Sequence, residues 1–103
     1  MAITADIPVS GLSATGAYCR VTDIVIKKVD NVDSPDNGTF YMTYGVACYV
    51  DAAARNAENP QTLLSREVDR FKVKGLATPP SDPYAAAYAD LKAQAAVSNA
   101  VDA

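Results

Sequence analysis

The residues best suited to bind another molecule form a basic series in the segment "LLSREVDRFKVKGL", residues 63–76. Cationic side chains recur there at even positions, namely Arg66, Arg70, Lys72 and Lys74. Alternate residues of a strand lie on the same face of a sheet, so these side chains predict one cationic strand face. With aromatic residues beside it, such a face can bind a single-stranded nucleic acid. The alternative is a solvated or subunit-facing edge, which the acidic net charge of −3 favours.

Aromatic residues of the required kind lie in the segment "YMTYGVACYV", residues 41–50. Its even positions are apolar, as the buried face of a strand requires. Its odd positions include Tyr41, Thr43 and Tyr49, which do not form an ordinary solvated face. A chain of 103 residues has little material to cover both faces of a sheet. We therefore expect the face with the tyrosines to contact another chain.

Residue types needed for catalysis are scarce. The sequence contains no histidine, which removes the commonest general base and metal ligand. Its five glycines do not form a phosphate-binding loop. Glu67 and Asp69 alternate with Arg66 and Arg70, which favours neighbouring ion pairs over an acid–base pair. We predict a protein that is not an enzyme and has no cofactor or metal.

Three aspartates in "DNVDSPDNG", residues 30–38, suggest a calcium loop at first sight. An EF-hand loop places oxygen ligands at every second position and a glutamate at its twelfth. The aspartates here are three residues apart, and the twelfth position of a loop that begins at Asp30 is Tyr41. Asn37–Gly38 is a strong turn signal, because both residues tolerate positive φ. The segment therefore predicts a β-hairpin.

The cysteines, Cys19 and Cys48, lie in separate predicted strands. They can form a cross-strand disulfide or remain as small buried thiols in a reducing compartment. Their spacing fits no disulfide framework or zinc site, which favours thiols. The sequence also has no apolar run of about 20 residues for a membrane span and no basic, apolar start typical of a signal peptide. We expect a protein made in a cytoplasm and either kept there or assembled there into something larger.

The order of predicted elements gives the fold class. Residues 1–16 predict an extended N-terminal arm that can include a short strand at "DIPVS", and residues 17–103 a single β-rich domain. Strands are predicted at 17–29, 39–51 and 63–76, with a bulge near Thr22–Asp23 because the apolar positions change parity there. A helix is predicted over about 83–97, with Asp82 as its cap and Pro83 at its first position. The fold class is α+β, with a small antiparallel sheet of about three to four strands and one C-terminal helix.

The layout resembles the small virion proteins of tailed bacteriophages. The resemblance lies in a glycine- and serine-containing arm, the strands "AYCRVTDIVI" and "GVACYVDAAARNAENP", and the closing helix "PYAAAYADLKAQAAV". It implies a non-enzymatic building block of the tail, baseplate or neck, located in the virion and made in the host cytoplasm. Its implied partners are copies of itself and other virion structural proteins. The alternatives are a capsid decoration protein and a small cytoplasmic module that binds peptide or nucleic acid.

Together these patterns predict a protein–protein interface without membrane contact, and the acidic net charge argues against nucleic acid as the partner. The arm is expected to become ordered only in the assembly, since it has few large apolar residues. The predicted interface residues are Tyr41, Thr43, Tyr49, Arg66, Arg70, Lys72 and Lys74.

Overall fold

The computed structural model describes residues 2–9, 11–56, 62–63, 65 and 67–103. Within these residues the chain forms five strands and two short helices. Their bounds, in chain order, are β1 Ile3–Val9, β2 Leu12–Lys28, β3 Phe40–Tyr49, α1 Ala52–Arg55, β4 Arg70–Leu76, α2 Pro83–Lys92 and β5 Ser98–Asp102.

All strands belong to one antiparallel sheet with the order β4-β3-β2-β1-β5. Strand β2 is long, 17 residues, because its first part pairs with β1 and its second part with β3. The register of β2 against β3 shifts between Val21 and Asp23. This confirms the predicted bulge, which returns Ile24 and Ile26 to the face that Cys19 and Val21 occupy. The predicted hairpin is also confirmed, with residues 29–39 connecting β2 to β3.

The core lies between one face of the sheet and α2. Strand β3 contributes its even positions, and Tyr44 at its centre is fully buried. The Tyr44 hydroxyl donates a hydrogen bond of 2.5 Å to Asp90 Oδ2 on α2, and Gln94 Nε2 donates to the same oxygen at 2.9 Å. Tyr88 of α2 accepts a hydrogen bond of 2.9 Å from the Val21 amide. These contacts fix α2 across the sheet, so α2 covers one face and not the other.

The predicted fold class is wrong in its strand count and in its arm. Within the described residues the sheet has five strands, and only the 4 residues of α1 and 10 of α2 are helical. Residues 3–9 do not form an arm: β1 lies between β2 and β5, and Ile3, Ala5 and Ile7 are buried. Few large apolar residues suffice there, because ladders of hydrogen bonds hold β1 from both sides.

The C-terminal prediction is also corrected. Asp82 caps α2 as predicted, and its Oδ1 accepts from the Ala85 amide at 3.1 Å. The helix ends at Lys92 rather than near residue 97, and the chain then forms β5. Asn99 adopts a positive φ of 54°, and its side chain donates to Asp6 Oδ2 at 2.8 Å. Pairing with β1 thus overrides the helix propensity of the alanine-rich sequence.

The strand predicted over 63–76 is shorter, and regular pairing with β3 begins only at Arg70. Leu63 forms an isolated bridge with Cys48. The buried Ser65 donates from its hydroxyl to the Pro8 carbonyl of β1 at 2.6 Å, and Val68 packs in the core. The described part of this segment therefore closes the core between β3 and β1.

Candidate functional site: the outer face of the sheet

The face of the sheet opposite the core, called the outer face below, is built from the odd positions of β3. Register places Asp23, Gly45 and Arg70 in one row across β2, β3 and β4. The next row contains Val25, Thr43 and Lys72, and Tyr41 lies beside Lys27 in the row after that. Every row thus combines a cation with apolar, aromatic or small residues. This arrangement suits contact with another macromolecule better than catalysis.

An ion pair crosses the first row. Arg70 Nη2 donates to both carboxylate oxygens of Asp23, at 3.1 and 2.9 Å. The hydrogen bond from Arg70 holds the pKa of Asp23 below its usual value. The pair passes directly over Gly45, where the Cβ atom of any other residue would clash with Asp23 Oδ1. Glycine therefore stands in the middle of a central strand because the ion pair occupies the space of a side chain.

Lys72 and Tyr41 form the second contact of the outer face. The Lys72 Nζ atom lies 4.2 Å from the centroid of the Tyr41 ring, within the range of a cation–π interaction. Beside them is a cavity of about 240 Å³, called the cationic cavity below. Its lining residues are Val29, Asp36, Thr39, Tyr41, Lys72, Lys74 and Gly75. The cavity offers an aromatic wall and two ammonium groups to an acidic ligand, while the Asp36 carboxylate in the same lining leaves a formal charge of +1.

The predicted interface residues do not all lie together. Thr43 and Tyr41 are half-buried, and Lys72 and Lys74 are exposed, all near one part of the outer face. Tyr49 shares their parity but is only 7% exposed, with the Arg55 guanidinium 5.8 Å from its ring centroid. Its own chain covers it, so it contributes little to an exposed contact surface.

Arg66 lies outside the described residues, and Arg70 forms the ion pair with Asp23 described above. The sequence reasoning missed Val25 and Lys27, which the outer face also presents. The predicted bulge at Thr22–Asp23 was sufficient to place Val25 and Lys27 on this face. Once Ile24 and Ile26 belong to the core, the residues between and after them must lie on the opposite face. Val25 is 39% exposed, an unusual position for a valine at the centre of a sheet.

Cys19 and Cys48 pair directly in register, yet both are free thiols. Both are buried, at 0% and 2% exposure. A hydrogen bond with the Cys19 thiol, together with burial, raises the pKa of Cys48. The disulfide left open by the sequence is therefore not formed in this structure, and Cys48 is a neutral core residue.

Two features of the described residues, the grouping of metal-ligating side chains and the length of the helices, bear on metal binding and membrane insertion. No group of three or more histidine, cysteine, aspartate or glutamate side chains among the described residues comes together to hold a metal ion. No helix formed by these residues is long and apolar enough to cross a membrane. Comparisons of the chain with protein-family models, with curated proteins and with solved structures found no match.

Proposed function

We propose that this protein is a non-enzymatic structural subunit of a tailed bacteriophage virion, present in several copies in the tail, baseplate or neck. It is made in the host cytoplasm and bound in the particle by copies of itself and by other virion proteins. The observation that carries the proposal is the outer face, where Val25, Tyr41 and Thr43 lie on a sheet face that α2 does not cover.

The composition of the outer face supports a contact role. A solvated face of an antiparallel sheet normally carries polar residues at alternate positions. Here an exposed valine and a half-buried tyrosine occupy adjacent rows, with Lys72 packed against the tyrosine ring. Tyrosine is enriched in interfaces because it offers apolar area together with a hydroxyl. An apolar centre with a cationic margin matches the usual anatomy of a subunit contact.

A second candidate is a small module that binds single-stranded nucleic acid at the same face. The Lys72–Tyr41 contact and the neighbouring Lys74 favour it, since such proteins combine cations with aromatic stacking surfaces. Against it stands the net charge of −3, which opposes a polyanion. Fluorescence anisotropy with a labelled single strand separates the two. The two cations Lys72 and Lys74 would give a log–log salt slope of roughly −1.4, whereas a structural subunit gives no measurable binding at physiological salt.

The structural proposal is tested by incorporation into particles. Tyr41→Asp places a charge in the contact, and Tyr84→Asp makes the same change at an exposed tyrosine on α2. Each variant is supplied to a phage whose own copy is inactivated, and circular dichroism first establishes that it folds. We expect Tyr41→Asp to be lost from purified particles by more than about tenfold, as a contact loss above ~1.4 kcal/mol requires. Tyr84→Asp is expected to incorporate normally. Equal incorporation of both variants contradicts the proposed contact.

A further inference from the structure

The tip of the β2–β3 hairpin, residues 29–39, carries charge opposite to that of the cationic cavity. It contains Asp30, Asp33 and Asp36 and no lysine or arginine. The three aspartates are exposed. Val32, between two of them, is 86% exposed and is the most exposed large apolar side chain among the described residues. The tip therefore presents one highly exposed apolar side chain between two exposed aspartates, Asp30 and Asp33.

Hydrogen bonds hold the tip in one shape. Asn37 Oδ1 accepts from the Asn31 amide at 3.0 Å, and Asn31 Oδ1 accepts from the Asp33 amide at 3.1 Å. The Ser34 amide donates to the Asn31 carbonyl at 3.0 Å. The side-chain amides thus satisfy the backbone, and Asp30 and Asp33 remain exposed. Binding by such a tip would require little further ordering of the chain.

The cationic cavity has the complementary properties. Lys72 and Lys74 flank it, and the Tyr41 ring forms an apolar wall. Within the described residues neither lysine forms a salt bridge; the salt bridges there are Arg70–Asp23 and Lys92–Asp102. The volume of about 240 Å³ accommodates a branched aliphatic side chain. Opposite charges on two surfaces steer their encounter and fix the register of a contact.

We infer that the acidic tip of one copy docks into the cationic cavity of a second copy, with Val32 against Tyr41 and the carboxylates of Asp30 and Asp33 beside Lys72 and Lys74. The inference rests on the proposed function, in which copies of the chain contact one another. Val29, Asp36 and Thr39 belong to both the tip and the cavity lining, so the two surfaces are neighbours in one molecule. Neighbouring complementary surfaces allow reciprocal docking about a two-fold axis, which closes a dimer.

Reciprocal charge reversal tests the inference. The tip-reversed variant carries D30K and D33K, and the cavity-reversed variant carries K72E and K74E. Each is measured as the full chain by sedimentation velocity over a range of concentrations, at low salt and at about 0.5 M salt, where exposed charges are largely screened. We expect wild type to dimerise and each variant alone to dimerise at least about tenfold more weakly, since like charges then face each other.

Mixing the two variants is the decisive measurement. Each tip then meets a cavity of opposite charge, so we expect a heterodimer with about the affinity of wild type, weakened by salt. Val32→Asp tests the apolar anchor and is expected to weaken wild-type dimerisation without preventing folding, because Val32 is exposed. A wild-type protein that stays monomeric at about millimolar concentration at low salt refutes the contact. So does a mixture that fails to associate.

The outcomes separate this contact from the proposed function. A monomeric wild type that is nevertheless found in virions refutes the docking and leaves the virion assignment intact. A protein that dimerises by the predicted contact but is absent from virions supports the docking and refutes the virion assignment. Salt-sensitive binding of a labelled single strand that K72E/K74E abolishes and D30K/D33K strengthens assigns the cavity to nucleic acid and overturns the docking.

Discussion

The hydrogen bond between Tyr44 and Asp90 joins β3 to α2, and the substitution Tyr44→Phe tests its contribution. The substitution removes the hydroxyl and keeps the buried ring, whose centroid lies 5.7 Å from that of Phe71. Asp90 then loses a donor at 2.5 Å and keeps the Gln94 side-chain amide at 2.9 Å. A hydrogen bond to a charged group contributes about 1.5–3 kcal/mol to stability. We use the lower half of this range, because Asp90 is half-buried and water can partly replace the lost donor.

We therefore expect Tyr44→Phe to lower the free energy of unfolding by about 1.5–2 kcal/mol. In urea this shifts the midpoint by about 1 M, and it lowers Tm by about 10 °C for a domain of this size. The matched control is Tyr41→Phe, a half-buried tyrosine on the outer face, for which we expect a change within about 0.5 kcal/mol. Equal midpoints for the two variants would show that the hydroxyl does not anchor α2.

The same contact predicts behaviour at alkaline pH. Burial, and then the hydrogen bond with Asp90, raises the pKa of Tyr44 above its ordinary value of 10.0. The folded protein then keeps a proton that the unfolded chain loses, so this contribution is constant below about pH 10 and is lost as the pH rises above it. Phenylalanine has no such proton, and the stability of Tyr44→Phe is expected to fall less steeply above pH 10. An identical slope in both proteins would contradict the assignment.

The remaining predictions concern three other places in the sheet. Gly45→Ala should destabilise the protein, because the new Cβ displaces the ion pair above it, and it should not do so in an Asp23→Ala background. Urea titration of wild type, the two single variants and the double variant measures this coupling, and additive effects would contradict it. Hydrogen bonds from the Asn99 side chain and the Gly16 backbone amide lower the pKa of Asp6 below 3.8. Its contribution to the stability of the fold is therefore present above pH 3.8 and is lost as the pH falls through the lowered pKa. Hydrogen exchange in β5 should accelerate at that low pH, and unchanged exchange would refute this role. Cys19 and Cys48 should react with a thiol reagent only on unfolding, since both are buried; rapid labelling of the native protein would contradict that burial.

Local patterns in the sequence predicted the features that depend on short-range periodicity. The parity change at Thr22–Asp23 predicted the bulge, and Asn37–Gly38 predicted the hairpin. The N-terminal strand was predicted as part of an arm because β1 pairs with the beginning of β2, residues 12–16, which was assigned to the same arm, and with β5, part of which was assigned to a helix. The end of α2 was missed for a related reason, since the pairing of β5 with β1 competes with helix formation.

The candidate site was only partly predictable. Parity placed Tyr41, Thr43 and Lys72 on one face, and the structure brings them together. Parity alone cannot distinguish Tyr41 from Tyr49, which is buried and which Arg55 of α1 contacts. That helix has only four residues and is too short to show a helical periodicity, yet its Arg55 guanidinium lies 5.8 Å from the centroid of the Tyr49 ring. The opposite charges of the hairpin tip and the cavity could not be predicted either, because the register of β4 is needed to place Lys72 and Lys74 beside the hairpin.

The central claim is that the outer face is a subunit contact in a virion. Quantitative mass spectrometry of purified particles, combined with lysine acetylation, tests it directly. We expect the chain at the abundance of a repeated component, with Lys72 and Lys74 acetylated far less in particles than in the free protein. Lys92, which is paired with Asp102 on another part of the surface, serves as the reference. Absence from particles, or equal acetylation of Lys72 in the free and assembled protein, would contradict the claim.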